Sequence, residues 1–234
     1  MPNHLFDALI APLDGRTSPF LILPDARTLS GDDFARMVAQ AAGALVAAGL
    51  RPGDRVAVQI AKSPMALAVY GAALATGAIF LPLNTAYTAE EVDYFVGNAT
   101  PRLLIADPGR EATLAVVASR HGAALLTLDA AGAGSFADLA RQQPDRHAPV
   151  DRGPDDLAAF LYTSGTTGRS KGAMLSHENV FWNTIHEALD TGMHEDDNTL
   201  LATPLHHAAA LNCWLLPHLY LGATATILPK YSTE

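Results

Sequence analysis

Short apolar runs alternate along this chain with stretches whose apolar residues recur every three or four positions. FLILP at 20–24 and RTLS at 27–30 read as a hairpin about Asp25-Ala26, and Ser30 stands where a helix cap is expected. Phe34, Met37, Val38, Ala41, Leu45 and Val46 then follow a helical period that Gly49 ends. RVAVQI at 55–60 predicts a strand, and Ser63-Pro64 predicts a capped helix with proline in its first turn, stopping near Gly77. AIFLPL at 78–83 is an unbroken apolar run, suited to a strand buried on both faces. Thr88-Ala-Glu-Glu91 is a capping box that opens the next helix. RLLIAD at 102–107 and AALLTL at 123–128 predict further strands with a helical stretch between them.

The polar, proline-rich segment 142–156 reads as a surface connection. Beyond it the pattern predicts a strand at 157–162, a glycine-rich loop, a strand near 172–176 and a helix from about Glu178. A strand at 198–203, a buried helix over 208–221 interrupted at Pro217, and a strand at 223–228 complete the series. Strands alternating with helices of this length imply an α/β fold of layered, largely parallel sheets with flanking helices. The expected division is a first α/β subdomain at 1–141, a linker at 142–156 and the start of a second α/β subdomain at 157–234.

Composition narrows the function. Hydrophobic residues make up 49% of the 234 and charged residues 17%, enough for a packed core. A net charge of -9 argues against a nucleic-acid surface, which needs clustered Lys and Arg. Cys213 is the single cysteine, so neither an internal disulfide nor a four-cysteine zinc site can form. The first residues lack a basic stretch followed by an apolar run, and no apolar run reaches the ~20 residues of a spanning helix. A soluble cytoplasmic protein without a membrane span is the expectation.

The chemistry concentrates in YTSGTTGRSKG at 162–172. Glycines allow a backbone to approach a ligand closely, successive N–H groups and hydroxyls make an anion cradle, and Lys171 adds a mobile positive charge. A polyphosphate needs this combination. The string is not a Walker A loop: only two residues separate Gly165 from Gly168, and Lys171 is followed by Gly172. No GxGxxG pattern follows the early strands, which leaves a dinucleotide fold unsupported. The loop 163–171 is expected to join two strands and to be poorly ordered without nucleotide.

TSGTTGxxKG closely resembles the phosphate-binding signature of adenylate-forming enzymes, which include acyl-CoA synthetases, luciferases and peptide-synthetase adenylation domains. LYTSGTTGRSKGAMLSH at 161–177 is similar to the form in acyl-CoA synthetases. LPLNTAYTAEEVDYF at 81–95 and DRGPDDLAAFLYTSGTTG at 151–168 resemble malonyl-CoA synthetases. TPLHH at 203–207 sits where the family has a Pro-x-aromatic-His element beside the acyl pocket. The resemblance implies the N-terminal portion of the adenylate-forming fold. It also implies a reaction in which a carboxylate and ATP give an acyl-adenylate and pyrophosphate, after which the thiol of coenzyme A displaces AMP. It implies that Thr163, Ser164, Gly165, Thr166, Thr167, Gly168 and Lys171 hold the β- and γ-phosphates. Thr167 is the implied contact to Mg2+, Lys171 a catalytic cation, and His207 a catalytic residue at the pocket wall.

Other features have plainer readings. His177 reads as a capping or packing residue, Cys213 as buried core, Asp196-Asp197 as a solvated turn, and Tyr87 and Tyr94 as packing against the sheet. His206 stands where the family usually has an aromatic residue, and Ala209 stands where malonyl-CoA synthetases tend to carry a second histidine. On the 81–95 and 151–168 strings malonate or a related short acid is the leading substrate, and Ala209 supports the alternative, a fatty-acyl or aryl ligase. A nucleotide-binding remnant without turnover is the third reading. The resemblance places the adenine, ribose and metal contacts, the hinge and the C-terminal catalytic lysine after Glu234. A missing C-terminal part of the same enzyme is thus an expected partner, and the chain alone is expected to be inactive.

Overall fold

The computed structural model describes residues 2–163, 170–207 and 209–228, and these form two sheets with helices packed about them. The chain opens with α1 (His4–Leu9), capped by the Asn3 side chain. β1 (Pro19–Ile22) and β2 (Thr28–Ser30) make the expected antiparallel hairpin. Ser30 and Asp33 close a capping box on α2 (Gly31–Ala47). Val46, expected on the apolar face, is 50% exposed in the last turn.

β3 (Arg55–Gln59), β4 (Ile79–Pro82), β5 (Leu103–Ala106) and β6 (Ala124–Thr127) alternate with α3 (Pro64–Thr76), α4 (Ala89–Ala99) and α5 (Glu111–Arg120). Ser63 caps α3 and Pro64 fills its first turn. Gly77 ends it at φ +67, where an added Cβ would also collide with the Arg152 guanidinium. Thr88 and Glu91 form the expected box on α4. α6 (Ser135–Arg141) was not signalled by the sequence pattern. β7 (Leu157–Thr163), β8 (Lys171–Ser176), α7 (His177–Asp190), β9 (Asn198–Leu201), α8 (Leu216–Leu221) and β10 (Thr224–Ile227) follow. Between β9 and α8, Ala209–Leu215 winds as a π-helix. Pro217 has no N–H for the π-type bond to the carbonyl five residues back. The Asn212 carbonyl instead accepts from Asn183 Nδ2 at 3.0 Å, and His218 Nδ1 lies 2.7 Å from the Trp214 carbonyl.

The strand order is β6-β5-β3-β4-β7-β8 in one sheet and β2-β1-β10-β9 in the other. Only the β7–β8 and β1–β2 pairs are antiparallel. Residues 142–156 carry no helix or strand, and strands from both sides of that segment enter each sheet. Alternation along the strands of the larger sheet sorts its side chains into two cores. Val56, Val58, Leu103 and Ile105 join α2, α3 and the smaller sheet, whereas Ala57, Leu104 and Ala106 join α4 and α5. α3 is apolar all round because it is covered all round: every residue from Ala66 to Thr76 is buried. Among the described residues no helix is long and apolar enough to cross a membrane.

Candidate functional site

β7 and β8 form the hairpin whose connection carries the glycine- and hydroxyl-rich string. The register pairs Leu161 with Ala173, Tyr162 with Gly172 and Thr163 with Lys171. Lys171 is thus the first residue of β8, not part of the loop, and its side chain is exposed. Thr163 Oγ1 donates to the Lys171 carbonyl at 3.4 Å and closes the stem. Ser164, Gly165, Thr166, Thr167 and Gly168 lie outside the described residues, as does any test of the loop's order. Gly172 answers to packing: a Cβ there would stand 2.2 Å from Phe160 Cζ, so only glycine lets that ring lie over the strand.

Both stems are braced from α4. Tyr94 Oη donates to the Ser170 carbonyl at 3.1 Å, and Tyr162 Oη donates to Asn98 Oδ1 at 2.5 Å. Phe95 stacks between Tyr87 and Tyr162, with ring centroids 4.8 and 4.5 Å away. Burial and the neighbouring Tyr94 push the Tyr162 phenol up to about 12. Tyr94 was expected to pack against the sheet; it lies against Phe95 at the edge of the cluster and spends its hydroxyl on the loop stem.

β3, β4, β5, β6 and β7 run parallel, so their C-terminal ends share one edge of the sheet. Thr163 ends β7 on that edge, which is where ligands bind in open α/β sheets. Lys62, just past β3 on the same edge, sends its ammonium to the carbonyls of Leu201 and Thr203, the latter at 3.0 Å. The C-terminal end of β9 in the smaller sheet is thereby fastened to the C-terminal edge of the larger one. Burial lowers the Lys62 ammonium to about 8.

The TPLHH segment follows directly. His207 is exposed; its N–H donates to the Pro204 carbonyl at 3.1 Å, and its Nδ1 accepts from the Ala209 N–H at 3.3 Å. His206 is half-buried, and burial followed by the adjacent His207 lowers its pKa. No hydrogen bond or ion pair joins Lys171 to His207 among the described residues. Lys171 lies in the larger sheet, and His207 in the irregular segment that follows β9 of the smaller one.

His177 has the structural role expected of it. It is 1% exposed, and its Nδ1 accepts the Leu5 N–H at 3.3 Å, which fixes the imidazole neutral with its proton on Nε2. Burial pushes it down to about 4, with Asp156 opposing the shift and His4 and Arg152 adding to it. Cys213 departs from the expected core: it is half-buried, with burial and then Glu187 raising its thiol pKa. Asp197 accepts the His194 N–H at 2.7 Å in an exposed turn, as read. Among the described residues no three His, Cys, Asp or Glu gather to hold a metal ion, and Thr167 lies outside them. The aromatic brace and Lys62 escaped the sequence reading. A lone lysine at the end of an apolar strand was the one available signal.

The family model described as AMP-binding enzyme matches residues 14–234. The chain belongs to the AMP-binding enzyme family. Its relatives include a feruloyl-CoA synthase of Amycolatopsis sp, 38% identical over 195 residues, and an oxalate–CoA ligase of Arabidopsis thaliana, 33% identical over 198. These alignments cover 83% and 82% of this chain, and the chain spans 38% of the length of each relative. Among solved structures, apo and ATP-bound MatB from Rhodopseudomonas palustris each superpose with a TM-score of 0.95 at 39% identity. Each match covers 99% of this chain and 46% of that one. The mixed α/β architecture with two largely parallel sheets is therefore that of the N-terminal domain of adenylate-forming enzymes.

Proposed function

We propose that this AMP-binding chain forms the phosphate-binding and acid-binding part of an ATP-dependent, AMP-forming acid–CoA ligase. The observation that supports it best is the placement of the β7–β8 stem, at Thr163, on the carboxyl edge that Lys62 joins to the segment bearing His207. A carboxylate is a poor electrophile for a thiol because its oxygen leaves poorly. Attack of that oxygen on the α-phosphorus of ATP releases pyrophosphate and makes the oxygen part of AMP, which leaves well when the coenzyme A thiol attacks the acyl carbon. Thr163 through Gly168 and Lys171 are proposed to hold the β- and γ-phosphates, with Thr167 toward the nucleotide's Mg2+. N–H donors and one cation at those oxygens offset the repulsion between two anions brought together. His207 and residues 203–211 are proposed to line the acid pocket. The proposed location is the cytoplasm.

Malonate or a related short acid is the leading substrate, supported by the 81–95 and 151–168 strings and by an oxalate–CoA ligase among the relatives. An aryl or fatty-acyl acid is the second reading, favoured by the feruloyl-CoA synthase relative and by Ala209, which stands where malonyl-CoA synthetases tend to carry a histidine. Residues 1–234 alone are proposed to bind ATP weakly and to make no acyl-CoA, since the ligase relatives are more than twice as long. The test grafts this chain in place of the matching 46% of MatB and supplies ATP, Mg2+, coenzyme A and acids from malonate to octanoate. Acid-dependent pyrophosphate release that Lys171→Ala slows by about 10²-fold or more is expected, with less effect on thioester formation from preformed adenylate. Equal slowing of both half-reactions would remove Lys171 from phosphate binding.

A further inference from the structure

We propose that Lys62 is a positioning residue for the acid pocket: reaching from the end of β3, its ammonium sets the path of the segment that carries His207. Lys62 is 9% exposed, and no carboxylate pairs with it among the described residues. A buried, unpaired ammonium is costly, and an apolar side chain of similar length would fill the same space without that cost. What an apolar side chain cannot do is donate. Lys62 gives two hydrogen bonds, to Leu201 O, where β9 ends, and to Thr203 O, where the TPLHH segment begins.

Those carbonyls need a donor from outside their own segment. Past Leu201 the strand ladder stops, and the Ala202 N–H turns back to Leu200 O at 2.9 Å. Leu201 O receives a second, long contact from the Leu228 N–H at 3.4 Å. Further along, bonds are local: His207 N–H to Pro204 O at 3.1 Å and Ala210 N–H to His207 O at 3.0 Å. Pro204 has no N–H to give. The segment 202–207 is thus irregular, anchored in the core by Leu205, and among the described residues its hydrogen bonds to the larger sheet's side come from the Lys62 side chain. Because β3 and β7 are parallel strands of that sheet, one rigid frame sets both the phosphate hairpin and, through Lys62, the pocket segment.

The inference rests on the proposed acid pocket at 203–211, and the experiment separates the two. Lys62→Met keeps the stem and removes the donors; Lys62→Arg keeps a donor and a charge. Amide hydrogen exchange and the His207 imidazole resonance are read in the 234-residue chain, and KM values for acid and ATP in the MatB graft. Lys62→Met is expected to speed exchange about tenfold, the worth of one lost charge-assisted hydrogen bond, within 201–210 and to shift His207. β8 should be unmoved, and Lys62→Arg should restore part of the protection. KM for the acid should rise several-fold with KM for ATP within about twofold. Unchanged exchange at 201–210, or an increase spread evenly over both sheets, would overturn the role of Lys62. A change confined to 201–210 with an unmoved acid KM would uphold the positioning and overturn the pocket at 203–211. Should Lys62→Met fail to fold, proton NMR of the wild-type chain decides: the Lys62 Hε protons should show nuclear Overhauser contacts to the Leu201 and Thr203 backbone, and their absence would refute the buried clip.

Discussion

The larger sheet changes character from its middle to its β8 margin. At the middle, β4 and β5 are buried at every position, β3 at all but its first, and α3 seals one face with eleven consecutive buried residues from Ala66 to Thr76. At the margin, Lys171, Gly172, Ala173 and Met174 are all exposed, with Met174 at 64%. In the middle, packing accounts for the residue at each position. At the margin packing accounts for Gly172, through Phe160, and for little else. The hydroxyl- and glycine-rich string between β7 and β8 is proposed to answer to phosphate binding instead.

Substitutions can break this contrast. Leu74→Ala, in the middle of the core, should cost about 2–5 kcal/mol in denaturant unfolding, whereas Met174→Ala should stay within about 0.5 kcal/mol. Comparable costs at the two sites would erase the distinction. Acid should act next, through His177. Its folded pKa of about 4 lies below the ordinary histidine value of about 6.5, so between those limits the unfolded chain binds the extra proton. Stability should fall as pH drops from 6.5 to 4, by up to about 3 kcal/mol. Replacing His177 by Gln, which offers an acceptor to the Leu5 N–H without titrating, should flatten urea midpoints across that window; an unchanged slope would assign the effect elsewhere.

Gly172→Ala should cost about 1–3 kcal/mol, because the new methyl meets the Phe160 ring, and should weaken ATP binding by disturbing the stem; Phe160→Leu in the same chain should recover part of both. A neutral Gly172→Ala would mean that the ring moves freely. Smallest is Tyr94→Phe, which removes the bond to Ser170 O at an exposed edge: about 0.5–1.5 kcal/mol or less in stability, with faster amide exchange at 170–172 as the clearer readout.

Much of the fold was written locally. The boxes at Ser30 and Thr88, the Ser63-Pro64 start and the apolar runs at β3, β4 and β5 each depend on neighbours a few residues away. What could not be read depends on distance. β1 pairs with β10 about two hundred residues later, and no local pattern assigns β9 and β10 to one sheet while β7 joins the other. α6 was missed because it is seven residues long, too short to establish a period, and opens after Gly134, at φ +124, behind an alanine–glycine tract. The candidate site divides in the same way. The 162–172 string is local, and its resemblance to the family's phosphate-binding signature can be read from it without any distant contact. Tyr94, Asn98 and Lys62 acquire their places only when α4 meets the hairpin and β3 meets β9.

The central claim is that the β7–β8 turn holds a polyphosphate. It is tested most directly by titrating ATP into isotope-labelled residues 1–234 and following backbone amide resonances, with Lys171→Ala in parallel. The account predicts weak, saturable binding, shifts concentrated at 162–173, little change in α2 or β6, and at least about tenfold weaker binding by a Lys171→Ala chain of unchanged stability. Binding that Lys171→Ala leaves intact, or shifts gathered away from the β7–β8 turn, would contradict it.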